Sequence, residues 1–125
     1  MRVVFINPER RAAEVLDIRD ELSEFYRLIG CDCIDIVSRS IGGVEFDIIC
    51  DDEGLFAESP RISAVDRLGN VMLVGSLIVT GPADEDGNLT DLTPEQARRI
   101  AKRAKIIETK LHPEGLLILT DVGYC

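Results

Sequence analysis

Apolar residues recur along this chain in three rhythms. Val3-Val4-Phe5-Ile6 and Leu116 to Leu119 are apolar at consecutive positions, and so is Val71 to Val79 apart from Gly75-Ser76. Runs of that kind suit strands buried on both faces. The second rhythm is helical. In Asp20 to Ile29, Leu22, Phe25, Leu28 and Ile29 share one face, while Glu21, Glu24 and Arg27 lie on others. Gly30 follows at the position where a left-handed residue ends a helix. A second helical stripe runs through Ala97, Ile100, Ala101, Ala104, Ile107 and Leu111. Thr93-Pro94-Glu95-Gln96 opens it: Thr93 can cap, Pro94 fits the first helical position, and Gln96 completes a capping box. Pro113 and Gly115 predict its end.

The third rhythm is alternation. Cys31, Cys33 and Asp35 point one way, and Asp32, Ile34 and Ile36 the other, which predicts a strand over 31–37. Val44 to Cys50 returns after a turn over 38–43, so the two strands predict an antiparallel hairpin. Ala12 to Ile18 fits either the return strand of a hairpin across Pro8-Glu9-Arg10-Arg11 or the start of the first helix, and the hairpin is the preferred reading. The stretch from Asp51 to Asn70, interrupted by Pro60, predicts a long loop with one helical turn near Ser63 to Leu68. Gly75 predicts a bulge or a close backbone approach within the strand over 71–80. Gly81 to Gly87 predicts a turn, and Asn88-Leu89-Thr90 a short strand.

These elements predict an α+β fold: a mixed, mostly antiparallel curved sheet of about six strands, with two main helices packed on one face. Two helices would leave the other face of the doubly apolar strands uncovered. The sheet must therefore either bend strongly on itself or meet a second copy in a homodimer. A chain of 125 residues predicts a single domain. At 46% hydrophobic content it can bury a core without staples. No apolar run approaches the ~20 residues that span a bilayer. The N-terminal apolar run is too short for a secretory signal, so the expected location is cytoplasmic.

Charge narrows the partners. The net charge is −9, which disfavours direct contact with nucleic acid or an anionic membrane, both polyanions. Residues 94–112 carry six of the 14 bases and two of the 23 acids, leaving eight bases against twenty-one acids elsewhere. A basic helix thus sits on an acidic body. Arg98, Arg99, Lys102, Arg103 and Lys105 form a candidate anion-binding face, and a solvated helix face is its plain structural reading. The aromatics that single-strand binders interleave with such charges are missing from the cluster.

The remaining candidate chemistry is sparse. Asp51, Asp52 and Glu53 leave a strand and enter a turn at Gly54. Three carboxylates there could hold Ca²⁺ or Mg²⁺, although consecutive acids after a strand more often form a solvated turn. Asp84-Glu85-Asp86-Gly87-Asn88 lacks the spaced ligands of a calcium loop and reads as a hairpin turn. Cys31, Cys33, Cys50 and Cys125 read first as reduced, small apolar residues. A zinc site from Cys31 and Cys33 with Cys50 or His112 is the alternative, but a Cys-x-Cys inside a strand is not a turn-borne knuckle. His112 precedes Pro113 and reads as a helix terminator. No glycine-rich phosphate loop, dinucleotide fingerprint, nucleophile elbow or His-Glu-x-x-His motif is present. No cofactor is therefore predicted, and catalysis is the least favoured class.

One resemblance covers roughly residues 3 to 96. Its parts are the opening strand ending Ile6-Asn7-Pro8, the helix ending Leu28-Ile29-Gly30 with a strand directly after it, and Ile48-Ile49-Cys50-Asp51-Asp52-Glu53-Gly54-Leu55. Val74-Gly75-Ser76-Leu77-Ile78-Val79, an acidic glycine turn and Leu92-Thr93-Pro94-Glu95-Gln96 complete it. The chain resembles a small family of domains of unknown function from phages, plasmids and conjugative elements of Gram-positive anaerobes. Asp51 stands where that family usually has Asn, and Cys31 replaces the second glycine of a Gly-Gly pair. The resemblance implies an α+β core over 1–96 followed by a helix–strand extension over 97–125, and it implies no activity. The favoured function is a non-enzymatic acidic interaction module of a mobile element with a basic protein partner. The alternative is a small-ligand or divalent-metal domain using the Asp51–Gly54 turn.

Overall fold

The computed structural model describes residues 1–53 and 60–125. Among these residues the chain is mostly strand. In order, the elements are β1 (Arg2–Asn7), β2 (Ala12–Asp17), α1 (Leu22–Ile29), β3 (Ile34–Ile41), β4 (Val44–Asp51) and β5 (Ile62–Val65). They continue as β6 (Val71–Val74), β7 (Leu77–Thr80), α2 (Pro94–Lys102), β8 (Ala104–Ile107), β9 (Leu116–Leu119) and β10 (Val122–Tyr124). Two sheets result. The larger has the order β10-β3-β4-β7-β1-β2, and the smaller β6-β5-β9-β8. Every pairing is antiparallel except β5 with β9.

Strand alternation sorts the buried residues of the large sheet into two cores. Val4, Ile6, Phe46, Ile48, Leu77 and Val79 project to one face, where they meet Ala64, Leu117 and Leu119 of the small sheet and Ala97 and Ile100 of α2. Val3, Phe5, Ile49 and Ile78 project to the other face and pack on Phe25 of α1, with Leu28 and Ile29 beside it. The two helices therefore lie on opposite faces of the large sheet. This corrects the expectation of a single curved sheet with both helices on one face. The doubly apolar β1 and β7 need cover on both sides, and the second cover is a second sheet of the same chain. The burial that motivated a homodimer is thus completed within one chain.

Two further expectations change, each through a long-range contact. The apolar stretch 71–80 is not one strand. Gly75 adopts a left-handed φ of 77°, and the chain leaves the small sheet as β6 and enters the large one as β7. The helical stripe expected to reach Leu111 stops at Lys102. Arg103 O accepts from both Thr120 N and Thr120 Oγ1 at 2.8 Å, where a continuing helix would offer it to residue 107. Ala104 to Ile107 instead pair with β9 from Leu119 back to Leu116. The β-branched Ile106 and Ile107 favour helix by only a few tenths of a kcal/mol less than leucine would, so pairing with a buried strand decides the outcome. Leu111, the last residue of the stripe, is exposed. In the expected loop over 51–70, Ile62–Val65 is strand β5 and Asp66 to Asn70 is a turn, with no helical turn at 63–68. The short strand at 88–90 is reduced to one bridge between Gly81 and Thr90.

Local signals are met where they stand alone. Gly30 ends α1 at φ 76°, with its N–H donating to Tyr26 O. Thr93 Oγ1 accepts from Gln96 N while Gln96 Oε1 accepts from Thr93 N, a complete capping box. Both hairpins, β1–β2 and β3–β4, form in continuous antiparallel register.

Candidate functional site

A groove of about 270 Å³ opens between the two sheets where β3 and β4 pass β6. Its large-sheet wall comes from every second residue of β3, namely Asp35, Val37 and Arg39, and from Cys50, Asp51 and Asp52 at the end of β4. Its other wall is the whole of β6, Val71 to Val74. Among the described residues β6 is the outermost strand of the small sheet and pairs with β5 alone. Among those residues one side of its backbone therefore lacks a strand partner.

Three carboxylates and one guanidinium, those of Asp35, Asp51, Asp52 and Arg39, line this groove. Arg39 is held by its surroundings: Nη1 donates to Ser38 O at 2.9 Å, and the guanidinium lies 4.7 Å from the centre of the Tyr124 ring. Arg39 Nε is buried without a partner. Asp51 shapes its own turn, because Oδ1 accepts from Glu53 N at 2.9 Å. Asp52 N donates to Cys33 O at 3.1 Å and ties the turn to the segment before β3. The groove is thus acidic at its rim and apolar along Val37, Met72, Leu73 and Val74.

The sequence candidates divide accordingly. Asp51 and Asp52 line the groove, Glu53 lies in the exposed turn beyond it, and Gly54 is outside the described residues. Cys31 and Cys33 precede the strand rather than sit within it. Cys50 Sγ donates to Asp35 O at 3.7 Å. Burial, helped by the Asp35 carboxylate, pushes the Cys50 thiol up to about 11. Burial and the nearby Asp51 carboxylate raise the Cys31 thiol as well. Both stay protonated at neutral pH, which does not suit a nucleophile. His112 is buried, with Nδ1 3.3 Å from Glu114 Oε1 and Nε2 without a partner. Its neighbour and its own backbone N–H hold the Glu114 carboxyl below the usual range, the backbone contributing most. Among the described residues no group of three or more His, Cys, Asp or Glu is placed to hold a metal ion.

The basic cluster is spread over two elements. Arg98, Arg99 and Lys102 are exposed on α2, and Lys105 is exposed on β8. Arg103 turns aside to pair with Asp121. Sequence reasoning missed Asp35 and Arg39 because they sit in a weakly patterned strand; their i, i+4 spacing with Val37 between is the available signal. It also missed Asp47, which interrupts an apolar strand. That carboxylate is buried, accepting from Ser38 Oγ at 2.8 Å and from Ala83 N at 3.0 Å. It anchors the 81–90 turn to the sheet.

A family model described as a domain of unknown function (DUF3846) matches residues 1–105. The chain belongs to this family. No curated protein and no solved structure matches it. No helix among the described residues is long and apolar enough to cross a membrane.

Proposed function

We propose that this member of the DUF3846 family is a non-enzymatic binding module that takes a basic, extended protein segment along the free edge of β6. One observation carries the reading: all four residues of a strand that, among the described residues, is paired on one side alone line a groove whose opposite wall bears Asp35, Asp51 and Asp52. Backbone pairing supplies affinity in this mode of recognition, and side chains at alternate positions supply selectivity. An added strand would bring every second side chain against the carboxylates. The overall charge of −9 would steer a basic partner to the surface. A mobile-element setting, implied by the resemblance, would offer such partners among basic host or element-encoded proteins. The acidic body would then compete for them by imitating nucleic-acid charge.

The reading is tested with an alternating Lys-Val peptide titrated at low and high ionic strength, with amide exchange followed at Val71 to Val74. Saturable binding that weakens severalfold with salt and with Asp51→Asn plus Asp52→Asn, and that slows exchange in β6, is the expected result. Binding indifferent to salt and to both substitutions, or protection confined to other strands, overturns it.

A further inference from the structure

We infer that the chain carries a second binding site, a receptor for a small molecule bearing a phosphate or carboxylate, held by Arg67 and Arg103 where three turns converge. A cleft of about 640 Å³ lies there, within the size range of small-molecule sites. Its walls come from the β3–β4 turn at Gly42 and Gly43, the β5–β6 turn at Asp66 to Leu68, the end of α2 at Arg103, and Asp121 to Gly123.

Two guanidiniums share one carboxylate in this cleft. Arg67 Nε lies 3.2 Å from Asp121 Oδ1, and Arg103 Nε 3.8 Å from Asp121 Oδ2. Among the described residues neither arginine is ion-paired with a second carboxylate. The other acid on the wall, Asp66, is engaged by its own turn: Oδ1 accepts from Leu68 N at 2.9 Å and Asn70 N at 2.8 Å, and Oδ2 from Asn70 Nδ2 at 3.1 Å. Asp121 meets each arginine at Nε. The exposed Arg67 offers its Nη groups to a ligand, whereas Arg103 Nη1 donates to Arg99 O at 3.4 Å and Arg103 Nη2 lies against Gly42. Guanidinium forks of this kind match the oxygens of a carboxylate or phosphate.

The backbone supports the arrangement. Among the described residues Asp121 is one of two non-glycine residues with a left-handed φ, at 58°, and its carbonyl accepts from Gly42 N at 3.0 Å. Strain of this sort collects at ligand-holding positions. Gly42, at φ 59°, brings its backbone against the Arg103 guanidinium so closely that a Cβ would overlap it. Arg103 is thereby preset, its side chain 29% exposed, whereas Arg67 is 85% exposed and free to close on a ligand. The exposed Leu68 beside it offers apolar surface to the rest of the molecule.

The test is an NMR titration of the whole chain with inorganic phosphate and, separately, with malonate. Saturable shifts at the amides of Gly42, Gly43 and Gly123 are expected. Arg67→Gln should weaken binding roughly ten-fold, the scale of one charge-assisted hydrogen bond. Arg27→Gln, the same loss of charge on α1 across the large sheet, should leave it unchanged. A response to phosphate alone assigns a phosphoryl ligand, to malonate alone a carboxylate, and to both a general oxyanion receptor. Absence of saturable shifts with either anion, or equal weakening by the two substitutions, overturns the site.

Discussion

Replacing Gly42 with alanine measures how closely the β3–β4 turn is built onto Arg103. Gly42 and Gly43 both have left-handed φ values, 59° and 81°. A Cβ in that region costs about 1–2 kcal/mol, and the gain from a stiffer unfolded chain is common to both sites. What differs is the space. A Cβ at Gly43 meets nothing, while one at Gly42 would overlap the Arg103 guanidinium. Arg103 would have to move, losing its contact with Asp121, a partly exposed pair contributing about 0.2–1 kcal/mol, and its packing on the turn. The expected loss is therefore about 1–2 kcal/mol for Gly43→Ala and about 1 kcal/mol more for Gly42→Ala. Urea denaturation of both variants reads this, with a difference of a few degrees in melting temperature as a check. In an Arg103→Ala background the excess at position 42 should vanish, since the obstruction is gone. Equal losses in the native background, or an excess that persists without Arg103, would refute the reasoning.

Three further outcomes are expected. Asp47→Ala leaves the Ala83 N–H and the Ser38 hydroxyl without their acceptor, and thermal or urea unfolding should show a loss of about 2–4 kcal/mol, with Asn recovering part; a change below about 1 kcal/mol would mean the 81–90 turn is held by other contacts. At mildly alkaline pH a thiol reagent should label exposed Cys33 first and Cys50 last. Because the folded Cys50 thiol titrates at about 11, above the free thiol at about 8.5, the unfolded chain loses that proton first. Stability should decline between those values as pH rises, and Cys50→Ala should remove that component. Backbone and side-chain donors of Asn70, followed by Leu68 and Gly69, hold the Asp66 carboxyl below its usual value. Its stabilising contribution is present above the free carboxylate range and lost as pH falls through the depressed value, so an acid titration of Asp66→Asn should lack that component.

The groove was half legible. Asp51 and Asp52 stood out as acids leaving an apolar strand, and the structure does place them on a groove wall. Nothing local announced the opposite wall, because Val71 to Val74 read as the first half of a single buried strand. Arg67 and Asp121 lie 54 positions apart in the numbering, at two turns with no shared pattern, so their meeting with Arg103 had no signature. The basic stripe divides for a related reason. Five cations at near-helical spacing suggested one face, but α2 ends at its cap Arg103, which pairs with Asp121, and Lys105 lies on β8.

What the sequence determined by itself are the features settled within about one turn or one hairpin: the cap at Thr93, the stop at Gly30, and the β1–β2 and β3–β4 pairs. Each depends on backbone sterics or hydrogen bonds between near neighbours. The tertiary structure alone decided sheet membership. It divided 71–80 at Gly75 between two sheets, turned 104–107 from helix to strand, and set α1 and α2 on opposite faces. Those outcomes depend on burying apolar area against distant segments, and no local window contains the partner. The same long-range closure makes β6 an edge and brings three turns around Arg103, so both proposed sites are products of the packing rather than of any motif.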